Sequence, residues 1–335
     1  MTAPDDAPAG RAGSASGVIR TVLGDIPAGT LGPCDYHDHL FQVTPLLPGD
    51  ELDNEELSGR EAAAMVTAGL GAMVEATPTG LGRQPAAVAR VCAATGLKSV
   101  HATGAHHAGH YPAGHWLLEA TVTDLARRFA ADVADGLPAA DVPERGVVAV
   151  TPDGAPVRAG LVKAGVRYWQ IGPFERRALE AAAATALTTG VPVMVHLDYG
   201  SAAWEVHGIL TAAGVPASRI VLAHIDRNLD PGLHAELTAA GLYIGYDGMA
   251  RHKQAPDAAL LDCLERTLAL GGDLAAQRIV IGADVARSTR FVAYGGMPGL
   301  EYLPRRFLPR LRRAVGDDIG SLLVTTNPAR LLTLT

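Results

Sequence analysis

The chain is expected to fold as an α/β protein, a single (β/α)8 TIM barrel, and three observations predict it. Eight short β-prone apolar runs alternate with longer Ala- and Leu-rich amphipathic stretches. Single helical crossovers between such runs imply parallel pairing. No Gly-rich phosphate turn follows the first run, where a doubly wound sheet would typically place one.

The runs are "CDYHDH" (34–39), "GAMVEAT" (71–77), "LKSVHAT" (97–103), "AGLVKAG" (159–165), "VPVMVHL" (191–197), "RIVLAHI" (219–225), "GLYIGYD" (241–247) and "RIVIGAD" (278–284). Among the helices, "PFERRALEAAAATALTTG" (173–190) starts with Pro and Phe, carries an acid in its first turn and closes on Gly190. "APDAALLDCLERTLALGG" (255–272) repeats this grammar, with Gly271 and Gly272 as the stop. Over 137–163, "PDG" between two β-prone runs predicts a hairpin ahead of the fourth strand. Residues 1–17 read as a disordered tail without the basic and apolar segments of a signal peptide, so the barrel domain is 18–335.

Of 335 residues, 48% are hydrophobic and only 19% charged, which requires a large interior. Lys and Arg number 28 against 35 Asp and Glu, a net charge of −7 spread along the chain. That pattern excludes a nucleic-acid backbone as partner and points to a small molecule. No apolar run reads as a membrane span. Cys34, Cys92 and Cys263 are far apart and in no CxxC spacing, so neither a disulfide framework nor a thiolate zinc site is indicated, and a cytoplasmic location fits. A homodimer is left open.

Side chains at the C-terminal ends of barrel strands converge on one mouth. Here they are His37, His39, Glu75, His101, Lys163, His196, His224, Asp247 and Asp284. Alternation puts His37 and His39 on one side of the strand and Asp38 on the other, so the H-x-H can offer two nitrogens to one cation. Alone, a hydrogen-bonded histidine pair is an equally good reading. His196, His224 and Asp284 each end a very apolar strand, where an unpaired buried carboxylate is costly and one on a metal is compensated. Four His and one Asp suit Zn, Mn, Co or Fe. Lys163 makes sense there as a salt-bridged structural residue, or as a carbamate formed with CO2, whose charge and two oxygens can bridge two divalent ions. His106, His107, His110 and His115 in "GAHHAGHYPAGHW" (104–116) have no acidic or Cys partner nearby in sequence and read as a solvated or substrate-lining loop. Glu75, His101 and Asp247 read as support for the core, the ligands or the substrate.

The order and spacing of these residues resemble the phosphotriesterase family of the amidohydrolase superfamily. Its pattern is a strand-one H-x-H, a carboxylated lysine on strand four, histidines on strands five and six, and an aspartate on strand eight. The matches are His37 and His39, Lys163 in "AGLVKAG", His196 in "MVHLD", His224 in "LAHIDRN" and Asp284 in "IGADVAR". The resemblance implies a metal-dependent hydrolase with two divalent ions, zinc foremost, and a CO2-derived carbamate on Lys163. A metal-bridging hydroxide would attack an ester or lactone carbonyl, with Asp284 both ligand and proton carrier.

Within the family, "HIDRNLDPGLHAEL", "YDGMARHKQAPD", "DVARSTR" and "GGMPGLEYL" resemble the branch that hydrolyses phosphorylated sugar lactones. The lysine and arginine that hold the substrate phosphate in that branch correspond to Lys253 and Arg287. A tyrosine of that branch, three positions beyond the arginine, is Arg290 here. Asp226 and Arg227 are candidates for sugar-hydroxyl contacts or for a mutual ion pair. The alternatives are a carboxylesterase or phosphotriesterase acting on neutral esters, and a non-catalytic scaffold protein.

Overall fold

The computed structural model describes residues 17–335, so the expected N-terminal tail, Gly17 apart, lies outside the described residues. The described chain opens with an antiparallel hairpin, β1 (Val18–Thr21) and β2 (Gly24–Pro27), which the sequence reading did not anticipate. The eight predicted runs then all appear as strands: β3 (Cys34–Asp38), β4 (Ala72–Glu75), β5 (Lys98–Gly104), β6 (Ala159–Val166), β7 (Val193–Leu197), β8 (Ile220–Ala223), β9 (Tyr243–Tyr246) and β10 (Ile279–Ile281). They pair in parallel in sequence order, β3 through β10. At the seam, Asp284 N donates to His37 O at 2.9 Å, so the sheet is nearly closed into a barrel.

Alternation along the strands builds two layers of core. Leu161, Met194, Val221, Tyr243 and Val280 pack together inside the barrel with Tyr36. Their neighbours Val162, Val193, Leu222, Ile244 and Ile279 pack against helical residues such as Leu179 and Leu264. Because successive side chains face opposite layers, the inward positions at the strand ends are reserved for the mouth.

The helix Pro173–Thr189 starts on Pro and stops at Gly190, whose φ of 75° gives the left-handed C-cap expected of it. The expected stop at Gly271 and Gly272 is a break in the helix: the stretch that starts at Asp257 is interrupted at Gly272, whose φ of 54° and ψ of −138° are non-helical, and helical residues resume to Ala276. The hairpin expected over 137–163 is reduced to isolated antiparallel bridges, Pro138 to Val148 and Val150 to Pro156. Prolines at both bridges cannot donate to a ladder, which keeps them from extending.

Between β5 and β6 the backbones approach closely. Gly104 has φ 102°, and a Cβ there would stand 1.9 Å from Lys163 O. Only glycine allows β6 to present Lys163 at this height.

Candidate metal centre and active site

The six residues expected to hold metal, His37, His39, Lys163, His196, His224 and Asp284, all line one cavity of 440 Å³ at the C-terminal mouth of the barrel. All are buried. The β3 register shifts between Asp35 and Asp38, and this irregularity breaks strict alternation. As a result the consecutive Tyr36 and His37 both bond Asp247. His37 and His39 still share a side, with ring centroids 5.4 Å apart. His37 Nε2 lies 3.1 Å from Lys163 Nζ and 3.9 Å from Asp284 Oδ1, and His39 Nε2 lies 3.7 Å from the same oxygen. The His224 ring stands 4.8 Å from that of His37 and 4.5 Å from that of His196.

Hydrogen bonding on the far side of each ring sets its tautomer. His37 Nδ1 faces Asp247 Oδ2 at 3.2 Å, and His224 Nδ1 faces Asp247 Oδ1 at 2.6 Å. Asp247 is held ionised: burial opposes its charge, but hydrogen bonds from His37 and Tyr36 and the charge of Arg227 outweigh burial and lower its pKa. A carboxylate only accepts, so both histidines carry their proton on Nδ1 and keep a lone pair on Nε2. His39 Nδ1 lies 2.6 Å from Thr77 Oγ1, whose own hydrogen goes to Phe41 O at 2.7 Å, which gives the same result. His196 mirrors it, with Nε2 on Asp198 Oδ1 at 2.7 Å and the lone pair on Nδ1. All four rings therefore offer a lone pair backed by an outer acceptor, the arrangement that orients a metal-binding histidine.

Burial is the largest influence on the charges here. It pushes the pKa of all four histidines down, which keeps them neutral as ligands must be. It lowers the Lys163 ammonium to about 8. Burial would raise the Asp284 carboxyl, but the guanidinium charges of Arg251 and Arg227 against it overcome burial and hold the group well below the usual carboxylate range. Glu75, which accepts from Leu40 N and Thr77 N behind the site, is raised by burial to about 7. His101 is buried beneath, with Nδ1 on Ala102 O. Glu75 and Asp247 thus support the ligand layer. The donor set, four lone-pair imidazoles, a carboxylate and a buried lysine, fits a pair of divalent cations.

The candidates for substrate contact separate. Arg287 lines the cavity and lies 3.4 Å from Asp50. Arg227 also lines it but donates to Asp284 Oδ2 at 2.8 Å and does not pair with Asp226. Asp226 is buried behind the wall, where Oδ2 accepts from Asp247 N at 2.9 Å and Gly248 N at 2.7 Å. Arg290 is half-buried against the carbonyls of Asp284 and Met249. Lys253 is exposed and stands off the cavity wall.

Two wall arginines escaped the sequence reading: Arg251, which bonds Asp284, and Arg167, which is exposed and pairs with no carboxylate among the described residues. "YDGMARHK" held the signal for Arg251, two residues before Lys253. For the histidine loop the lining expectation fits, and the lack of an acidic partner is corrected. His106, His107 and His110 line the cavity, and their acidic neighbour is Asp198, brought from the end of β7. His115 lies apart, stacked on Trp116.

Residues 17–332 match the model of the "Phosphotriesterase family". A phospho-furanose lactonase from Mycoplasmopsis agalactiae is 30% identical, over 94% of this chain and 91% of that protein. A lactonase from Listeria monocytogenes has a solved structure with a TM-score of 0.83 and 28% identity, covering 95% of this chain and 99% of that one. The structure of an amidohydrolase from Mycoplasma synoviae has a TM-score of 0.86 and 28% identity, covering 96% and 93%.

Proposed function

The chain belongs to the phosphotriesterase family of metal-dependent hydrolases, and on that premise we propose that it is a binuclear lactonase opening a phosphorylated sugar lactone. The observation that carries this reading is that His37, His39, His196 and His224 each keep one ring-nitrogen lone pair free, Nε2 in His37, His39 and His224 and Nδ1 in His196, with the other nitrogen held by an acceptor. Those histidines, Asp284 and Lys163 would hold the ions, with zinc the best match to the donors. Bound there, two divalent ions supply Lewis acidity for a carbonyl oxygen and lower the pKa of water.

The chain's own groups do the rest. Lys163 Nζ, 3.1 Å from His37 Nε2, is buried with its ammonium weakened, so part of it is the amine that adds CO2. A new N–C bond forms, one proton leaves, and the resulting carbamate contributes an anion where cations gather. Asp284 is ionised throughout the neutral range and oriented by Arg227 and Arg251. It accepts the proton of the attacking water at a carboxylate oxygen and returns it to the ring oxygen as the acyl C–O bond breaks. Arg287 on the wall grips the substrate phosphate and orients the ring. Three buried thiols and no disulfide fit a cytoplasmic setting.

The test is hydrolysis of paired phosphorylated and unphosphorylated sugar lactones by zinc-loaded protein. Preference for the phosphorylated member is expected. Equal rates on both, or activity confined to neutral esters, would overturn the reading.

A further inference from the structure

His106, His107 and His110 bring ring nitrogens within 4.8 Å of one another, and ring nitrogens of His107 and His196 lie as close to each other and to a carboxylate oxygen of Asp198, which invites a third metal ion in the mouth. Their hydrogen bonds argue otherwise. His107 N donates to His106 Nδ1 at 2.9 Å, and Gly109 N donates to His107 Nδ1 at 3.2 Å. A backbone N–H only donates, so in both rings Nδ1 supplies the lone pair and Nε2 carries the proton. This is the reverse of the arrangement at His37, His39 and His224. A cation on either Nε2 would require the loop to give up these backbone bonds.

His107 Nε2 also stands 3.9 Å from Asp198 Oδ2, while Asp198 Oδ1 is occupied by His196 Nε2. The gap is too long for a direct bond and suited to one oxygen that accepts from the imidazole N–H and donates to the carboxylate. A hydroxyl does both. A phosphate oxygen cannot donate when ionised and is repelled by Asp198. This wall follows β5 and β7, whereas Arg251 and Arg287 follow β9 and β10, on the other side of the barrel.

We propose that His107 and Asp198 form a hydroxyl-reading subsite that selects a polyhydroxylated lactone ring, with His106 a second N–H donor beside it. The inference rests on the lactonase reading and assigns the part of the substrate that lies away from the phosphate. It makes the preferred substrate a sugar lactone, as opposed to an alkyl-chain lactone of equal ring size.

The experiment measures kcat/KM of zinc-loaded wild type, His107→Phe and His107→Gln on a phosphorylated five-carbon 1,4-lactone and on its 2-deoxy and 3-deoxy forms. In wild type, loss of the hydroxyl that is read should cost about three- to tenfold. In His107→Phe that difference should vanish, chiefly through KM, and His107→Gln, which keeps an N–H donor, should restore part of it. Bound zinc should be the same in all three proteins. A deoxy penalty unchanged in His107→Phe, with the lactones still hydrolysed, would overturn the subsite alone. Loss of one zinc per chain in His107→Phe would replace it with a third metal site. Absence of hydrolysis on every lactone would overturn the lactonase reading and this inference with it.

Discussion

Lys163 carries more consequence than any other single side chain, because a buried lysine among ligand histidines is intelligible only through its neighbours. If it bears the carbamate, Lys163→Ala should abolish lactone hydrolysis, and a short carboxylic acid supplied with zinc should restore part of the activity. No rescue, with two zinc ions still bound, would count against the carbamate. The phosphate contact is tested by Arg287→Ala, which should lower kcat/KM on the phosphorylated lactone about ten- to hundredfold and leave the unphosphorylated one nearly unchanged. Lys253→Ala should have little effect on either, since Lys253 lies off the wall; a selective loss there would show that the loop carries it inward. All six residues expected as ligands face the same cavity, and their place was legible because five of them stand at or just past the end of an apolar run and Lys163 sits within one. Arg167 and Asp198 were not legible, because loop geometry alone decides which charged side chain faces the cavity. Tautomers were equally out of reach: they depend on partners such as Asp247 and Thr77, far from the ring in sequence.

At the scale of elements, strand period and helix punctuation were legible, and places where backbones nearly touch were not. All eight runs became strands, since burial on both faces demands continuous apolar β-formers. The double glycine breaks the helix at Gly272 without ending it, because helical residues resume beyond it and bury Ala275 and Ala276. His224 (φ 64°) and Asp284 (φ 45°) sit in left-handed backbone just past β8 and β10, a strain of about 1–3 kcal/mol each that clusters where the ligands turn inward. Nothing in "LAHID" or "IGADV" announces it. Gly104 offers the sharpest test of how β5 positions β6. Gly104→Ala combines a positive φ with a Cβ 1.9 Å from Lys163 O, so it should destabilise the fold by at least about 1–3 kcal/mol in chemical denaturation and weaken zinc binding. A variant with wild-type stability and zinc affinity would show that the strands can part without disturbing the site.

For the molecule as a whole, the barrel gathers ionisable groups into its interior, and that sets its response to pH. Ten of its twelve histidines lie below their ordinary pKa, with burial the largest cause in each. They stay neutral when folded and take up protons when unfolded below about pH 6.5, so the unfolded chain binds more protons there and stability falls with acid. Asp35, Asp38, Glu75 and Asp226, raised chiefly by burial, act in the opposite sense, holding protons when folded and gaining stability as pH drops. The histidines outnumber them, so the metal-free protein should melt at a lower temperature at pH 5 than at pH 7; a higher one would mean that the carboxyls dominate. The central claim is that six side chains on or just past five strands of this interior hold two divalent ions on which activity depends. Its most direct measurement is the metal content of active protein set beside that of a His37→Ala, His39→Ala double variant. The account predicts two bound transition-metal ions per active chain, with loss of both metal and hydrolysis in the variant. Full activity in a metal-free wild type, or in the double variant, would contradict it.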